Sequence, residues 1–169
     1  MTAPLSPLVG ALRAEPVLAE LLSVGDSAVA VADPARAYLL AGLASLGSAP
    51  VMLVATPTAV EADRIAHDLT AFCDPLRVAA LPAWEPLPFE RVSPAAETMG
   101  GRLRTIWRID RAHRGDPAGR GEAPGALIVV APIRALLQRL APTTSDAAPA
   151  AMMRSSGGPR RWTPATPTS

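Results

Sequence analysis

An α/β fold, with a parallel sheet covered by helices on both faces, is what this sequence predicts, and three observations carry that expectation. Short apolar runs without helical periodicity recur at 28–31, 51–55, 78–81 and 126–130, as strands of a buried parallel sheet do. Each run is followed by an amphipathic stretch or by a loop leading to one, the alternation that builds βαβ units. Hydrophobic residues make up 49% of the 169 and charged residues 18%, so there is apolar surface enough to bury a core and a wholly disordered chain is excluded.

The elements follow in order. MTAPLSPLVGALRAEP has no basic residue before Arg13 and so lacks the cationic start of an export signal; a reducing, cytoplasmic setting is expected. Residues 37–55 are uncharged and apolar, but Gly47-Ser48-Ala49-Pro50 breaks them. Leu39, Leu40, Leu43 and Leu46 before the break have helical spacing, and Val51-Met52-Leu53-Val54 after it reads as a strand, which argues against a membrane span. Thr58 and Glu61 have the spacing of a capping box. Behind them Ala62, Ile65, Ala66 and Leu69 form one apolar face, with Asp63, Arg64, His67 and Asp68 left to solvent. A further helix is expected from Ser93-Pro94, with Ser as N-cap and Pro at the first position. Met99, Leu103, Ile106 and Trp107 share one of its faces; Arg104, Arg108 and Arg111 share another, a candidate anion-binding surface.

Between these helices four prolines lie in LPAWEPLPFERVSP, which excludes a helix interior or a central strand. The segment reads as a loop carrying Trp84, Leu87 and Phe89 as large apolar anchors. Either they dock on the sheet's own helices or they stay exposed as an anchor for a partner; docking is the expected outcome. Residues 112–125 read as a second, glycine- and arginine-rich loop. In 141–169, Ala, Pro, Ser, Thr and Gly supply 22 of 29 residues, so the expected organisation is an α/β module over 1–140 and a disordered tail over 141–169.

Chemistry is mostly excluded. All 16 basic residues are arginine, and no lysine occurs. A phosphate-binding turn would fall after the first run, at Asp33, Pro34, Ala35, Arg36 and Ala37. A P-loop needs glycines for backbone wrapping, a lysine and a Ser/Thr hydroxyl; none is there. Glu85 and Glu90 read as solvated loop carboxylates, and Cys73 with His67 as a buried thiol and a solvated imidazole. One cysteine and two histidines are too few for a zinc centre. No catalytic residue, metal or cofactor is expected. Net charge is +1, with no overall footprint for nucleic acid.

The segment Leu81-Pro-Ala-Trp84-Glu85-Pro-Leu87-Pro88-Phe89-Glu-Arg-Val-Ser93-Pro94, then Glu97-Thr98-Met99-Gly100-Gly-Arg102-Leu103, closely resembles the N-terminal region of the bacterial transcription-repair coupling factors, whose signature reads approximately W-E-T-L-P-[YF]-[DE]-x-x-S-P followed by a helix with R-L. The resemblance runs through about residues 8–140 and includes the L-I-V-V-x-P and R-x-L-L-Q-R pattern between Ala126 and Leu140. The residue usage, rich in Ala and Arg and free of lysine, resembles that of a high-GC bacterium of actinobacterial type.

The resemblance implies a degenerate NTPase-like module similar to the excinuclease B component, its phosphate loop lost. It implies a family that takes part in transcription-coupled excision repair, recruits the excinuclease A component, and displaces stalled RNA polymerase with an ATP-dependent DNA translocase lying C-terminal to this region. The family's contact with the excinuclease A component lies mostly in a domain inserted after the position of Leu140, where this sequence has its low-complexity tail. A fragment truncated or frameshifted after about residue 140, without catalysis of its own, is the expectation. Two alternatives stay open: a helicase or ATPase lobe completed by a partner chain, and a stand-alone adaptor binding protein through the 84–89 loop.

Overall fold

The most apolar run of the chain becomes the centre of the sheet. The computed structural model describes residues 3–23, 26–85, 93, 95–116 and 125–138. Within them β1 (Val51–Thr56), β2 (Val78–Ala80) and β3 (Leu127–Pro132) form a parallel sheet in the order β1-β3-β2. In register, Val51 lies opposite Leu127 and Thr56 opposite Pro132; Val78 lies opposite Ile128. Leu127, Ile128, Val129 and Val130 are all 0% exposed. Each contributes roughly 1.5–3 kcal/mol by full burial.

Helices cover both faces, as the alternation predicts. α3 (Arg36–Leu46) and α4 (Ala59–Leu69) pack on the side of Ile128 and Val130. α5 (Ala96–His113) and the short α6 (Ile133–Leu137) pack on the side of Leu127, Val129 and Ala131. α4 therefore carries the chain from β1 to β2 across one face, and α5 returns it to the central position across the other. Two N-terminal helices without a counterpart in the sequence reading, α1 (Ser6–Ala11) and α2 (Pro16–Ser23), lean on α3. At Gly42 the end of the Leu12 side chain packs against α3, where a Cβ would come within 2.5 Å of Leu12 Cδ1.

Four local expectations change. Residues 28–31 form no strand: 28–30 are exposed and Val31 half-buried. Leu53 and Ala55 of the neighbouring edge strand stay exposed, so little burial would reward pairing there. The sheet thus has three strands among the described residues. The capping box on α4 is half-formed. The Glu61 amide donates to Thr58 Oγ1 at 3.2 Å, but the Glu61 carboxylate turns to Arg36.

α5 begins at Ala96 with Ala95 as an N-cap that supplies no side-chain bond, so Ser93 does not cap it. Its orientation is also not the one its apolar spacing suggests. Met99, Leu103 and Trp107 are 43%, 61% and 48% exposed, while Arg102, Thr105 and Ala112 are buried. Hydrogen bonding decides this. β2 is an edge strand with unpaired outer carbonyls, a costly thing to bury, and Thr105 Oγ1 donates to Ala80 O at 2.8 Å while Arg108 Nη1 donates to Val78 O at 2.9 Å. The helix turns its donors inward and leaves its larger apolar side chains outside.

One buried arginine ties the amino end of the sheet together. Arg77, 6% exposed, donates from Nη2 to Ala126 O at 3.1 Å and to Ala44 O at 3.4 Å, joining the last turn of α3 to the entry of β3. Gly125, at φ +116°, sits against that guanidinium. A glycine is needed there both for the backbone conformation and for the close approach. No described helix is long and apolar enough to cross a membrane.

Candidate functional site

The position expected for a phosphate cradle is filled by protein charge. Residues Asp33–Ala35 make one 3-10 turn leading into α3. Arg36 Nη2 lies 2.9 Å from Asp33 Oδ1 and its Nη1 2.8 Å from Glu61 Oε1. The guanidinium thus bridges two carboxylates at the start of α3, beside Thr56 and Pro57 at the carboxyl end of β1. Pro34, Ala35 and Ala37 add no side-chain donor, and Asp33 places negative charge where a phosphate would need the reverse.

The second place is built from all three stretches that carry the family resemblance. The loop leaving β2 brings Pro82, Trp84 and Glu85 over the carboxyl ends of the strands, where ligands bind in open α/β sheets. α6 holds its backbone: Gln138 Nε2 donates to Trp84 O at 3.1 Å, Gln138 Oε1 accepts from Trp84 N at 2.6 Å, and Arg134 Nη2 donates to Glu85 O at 3.1 Å. α5 holds its side chains. The Arg102 guanidinium stacks on the Trp84 ring, 4.8 Å from its centroid, and donates from Nη1 to Pro82 O at 2.6 Å. Thr98 Oγ1 donates to the Glu85 carboxylate. That bond, with smaller contributions from backbone amides at Glu85 and Ala95, lowers the Glu85 pKa below the usual carboxylate value. Glu85 thereby serves the first turn of α5, which has no cap of its own.

These contacts surround a crevice of about 410 Å³. Ala62, Leu81, Val130 and Pro132 form an apolar floor, the half-buried Trp84 a wall, and Asp63, Glu85 and Arg134 stand at the edge. Arg102 is 1% exposed and its Nη2 has no hydrogen-bond partner. Burial pushes its pKa down.

Of the loop residues expected to matter, Trp84 is docked on the protein's own α5 and α6 and Glu85 is bonded to Thr98; Leu87 and Phe89 lie outside the described residues. The three arginines of the candidate anion-binding face, Arg104, Arg108 and Arg111, are not brought together. Arg104 is exposed; Arg108 is committed to Val78 O and Leu76 O at the edge of β2; and Arg111 pairs with Asp116, Nε to Oδ2 at 2.6 Å, while covering the Trp107 ring at 4.7 Å. Cys73 is buried, its thiol donating to Leu69 O at 3.2 Å. Burial raises its pKa, against the opposing charge of Arg77. His67 is on the exposed side of α4. Among the described residues no group of three or more His, Cys, Asp or Glu is placed to hold a metal.

Sequence reasoning did not single out Arg102, Arg134 and Gln138. All three stand in the quoted motifs, but nothing along the chain shows that residues 84, 102 and 138 meet. No protein-family profile matches the chain. Transcription-repair-coupling factors from Mycobacterium tuberculosis (strain CDC 1551 / Oshkosh) and Mycobacterium bovis are 42% identical to it over 113 residues. The factor from Escherichia coli (strain K12) is 30% identical over 108 residues. Each alignment covers 64% of this chain and 8% of the relative, so the chain spans a small part of the proteins it matches. The family that the 81–103 and 126–140 motifs resemble is thus also the one found by whole-sequence comparison: over 64% of its length this chain is similar to the transcription-repair coupling factors.

Proposed function

We propose that the chain is the N-terminal module of a transcription-repair coupling factor, a degenerate NTPase-like unit related to the excinuclease B component that performs no catalysis itself and contributes to DNA repair by making protein contacts. On this reading, displacement of RNA polymerase and translocation on DNA belong to other parts of the longer family polypeptide, and the excinuclease A component is the repair partner recruited. The observation that carries it is the similarity over 64% of the chain to transcription-repair-coupling factors; the segment 32–37, which no described strand precedes, agrees with the absence of a phosphate loop there. A functioning phosphate loop presents backbone N–H groups and a cation to an empty space, whereas here the one cation, Arg36, is held by Asp33 and Glu61.

Calorimetric titration with ATP and Mg²⁺ tests this. No saturable heat is expected up to millimolar nucleotide, and micromolar binding would overturn the reading. A lobe completed by a partner chain is disfavoured on the same ground, because the missing lysine belongs to the turn itself. A protein-binding adaptor is compatible with the crevice and differs in predicting partner binding without the rest of the family polypeptide.

A further inference from the structure

The two edges of the sheet are treated differently. At β2 the outer carbonyls of Val78 and Ala80 are taken by Arg108 and Thr105 of α5, so that edge offers little to a further strand. β1 forms the other edge. Leu127 N donates to Pro50 O at 2.9 Å, and in a parallel ladder this phase directs Met52, Val54 and Thr56 to β3 and turns the N–H and C=O of Val51, Leu53 and Ala55 outward. No described backbone group bonds to them, and residues 29–31 flank the strand across a cavity of about 720 Å³.

Such an edge is usually protected by a charge, a proline or a bulge. β1 has none of these. Val51–Thr56 contains no charge and no proline, its register with β3 is unbroken, and no charged residue occurs between Arg36 and Glu61. Leu53 is 55% exposed and Ala55 is exposed as well, although parallel sheets ordinarily bury both faces.

We propose that the β1 edge is a self-association surface, on which a second copy of this chain pairs antiparallel through its own β1 about a two-fold axis at Leu53. The axis sets Leu53 opposite Leu53 and Val51 opposite Ala55. Every outward residue then meets another outward residue, and each such pair exchanges two hydrogen bonds. The bare Leu53 side chains cover one another, and no like charges meet at the axis. The pairing is also closed. Three strands from each copy join in one sheet whose two ends are β2 edges already occupied by α5, so the assembly stops at an isologous dimer. An unrelated strand would find the same backbone groups at β1, but a second copy brings an edge of equal length, free of charge, with its own far side already guarded.

Sedimentation velocity on the full chain, with amide exchange followed by NMR, tests this. The wild-type chain is expected to pass from monomer to dimer between micromolar and submillimolar concentration. Over that range exchange at the Leu53 and Ala55 amides should slow, while Met52 and Val54, already bonded to β3, should change little. Leu53→Lys sets like charges across the axis and should weaken association about tenfold or more. Leu103→Lys, on the exposed side of α5, should leave it unchanged. A chain that stays monomeric, a dimer without slowed exchange at Leu53 and Ala55, or a dimer lost to Leu103→Lys and kept by Leu53→Lys would overturn the proposal. So would equal protection of Leu53 and Ala55 at every concentration, because the edge would then be paired within one chain. Association that continues beyond the dimer would refute the closed two-fold pairing. Should Leu53→Lys not fold, the wild-type exchange data decide alone.

Discussion

Replacing Trp84 with alanine measures how far the loop after β2 is part of the fold. The ring is half-buried; if about 100 Å² of apolar surface is withdrawn from water, its loss costs about 2.5 kcal/mol at roughly 25 cal/mol per Å². The stack on a desolvated Arg102 adds about 2 kcal/mol. Against this, removing the ring admits water to Nη2 of Arg102, which relieves an unsatisfied donor by about 1–3 kcal/mol. The net expectation is a loss of about 2–3 kcal/mol, somewhat below the usual cost of deleting a fully buried tryptophan. Urea unfolding followed by circular dichroism should show the midpoint falling by about 1–2 M for an ordinary m-value. A double-mutant cycle with Arg102→Met should return a coupling of about 1–2 kcal/mol, as for neighbours in contact. A loss below about 1 kcal/mol for Trp84→Ala, within reach of surface substitutions, would refute the idea that the loop is docked and not merely nearby.

Further outcomes follow from other contacts. Gly125→Ala should destabilise by about 2–4 kcal/mol, combining the strain of a left-handed residue with displacement of the Arg77 guanidinium; a shift in melting temperature too small to resolve would count against that account. Glu85 has a folded pKa below its unfolded value, so its contribution is fully present above the unfolded carboxylate pKa and is lost as pH falls through the folded one. A carbon-13 NMR titration should find it titrating below the ordinary glutamate range, and Thr98→Val should move it upward. Thr105→Val removes the donor to Ala80 O and leaves a carbonyl at the edge of β2 unpaired, for an expected loss of about 1–3 kcal/mol. Hydrogen exchange at β2 should quicken in that variant, and unchanged exchange there would contradict the edge-capping role.

What the sequence by itself determined is what local chemistry can decide. The apolar runs at 51–55, 78–81 and 126–130 become strands because no helical face exists for them to follow, and α4 begins after Thr58 because its hydroxyl finds the Glu61 amide. The absence of glycine, lysine and hydroxyl at 32–37 is a statement about composition, and no packing can supply the missing groups. The tertiary structure decided everything that depends on which donors meet which carbonyls. Periodicity alone would have buried Met99, Leu103 and Trp107, but the outer edge of β2 offers carbonyls that only Thr105 and Arg108 can satisfy, and the helix turns accordingly. Residues 28–31 read as a strand, yet pairing has to be rewarded by burial on the neighbouring face, and at Leu53 and Ala55 that face is bare. The crevice shows the same division. Trp84 and Glu85 stand out in the chain as residues, whereas their meeting with Arg102, Arg134 and Gln138 rests on two crossovers that return α5 and α6 to one end of the sheet, a relation between distant segments that no local pattern contains.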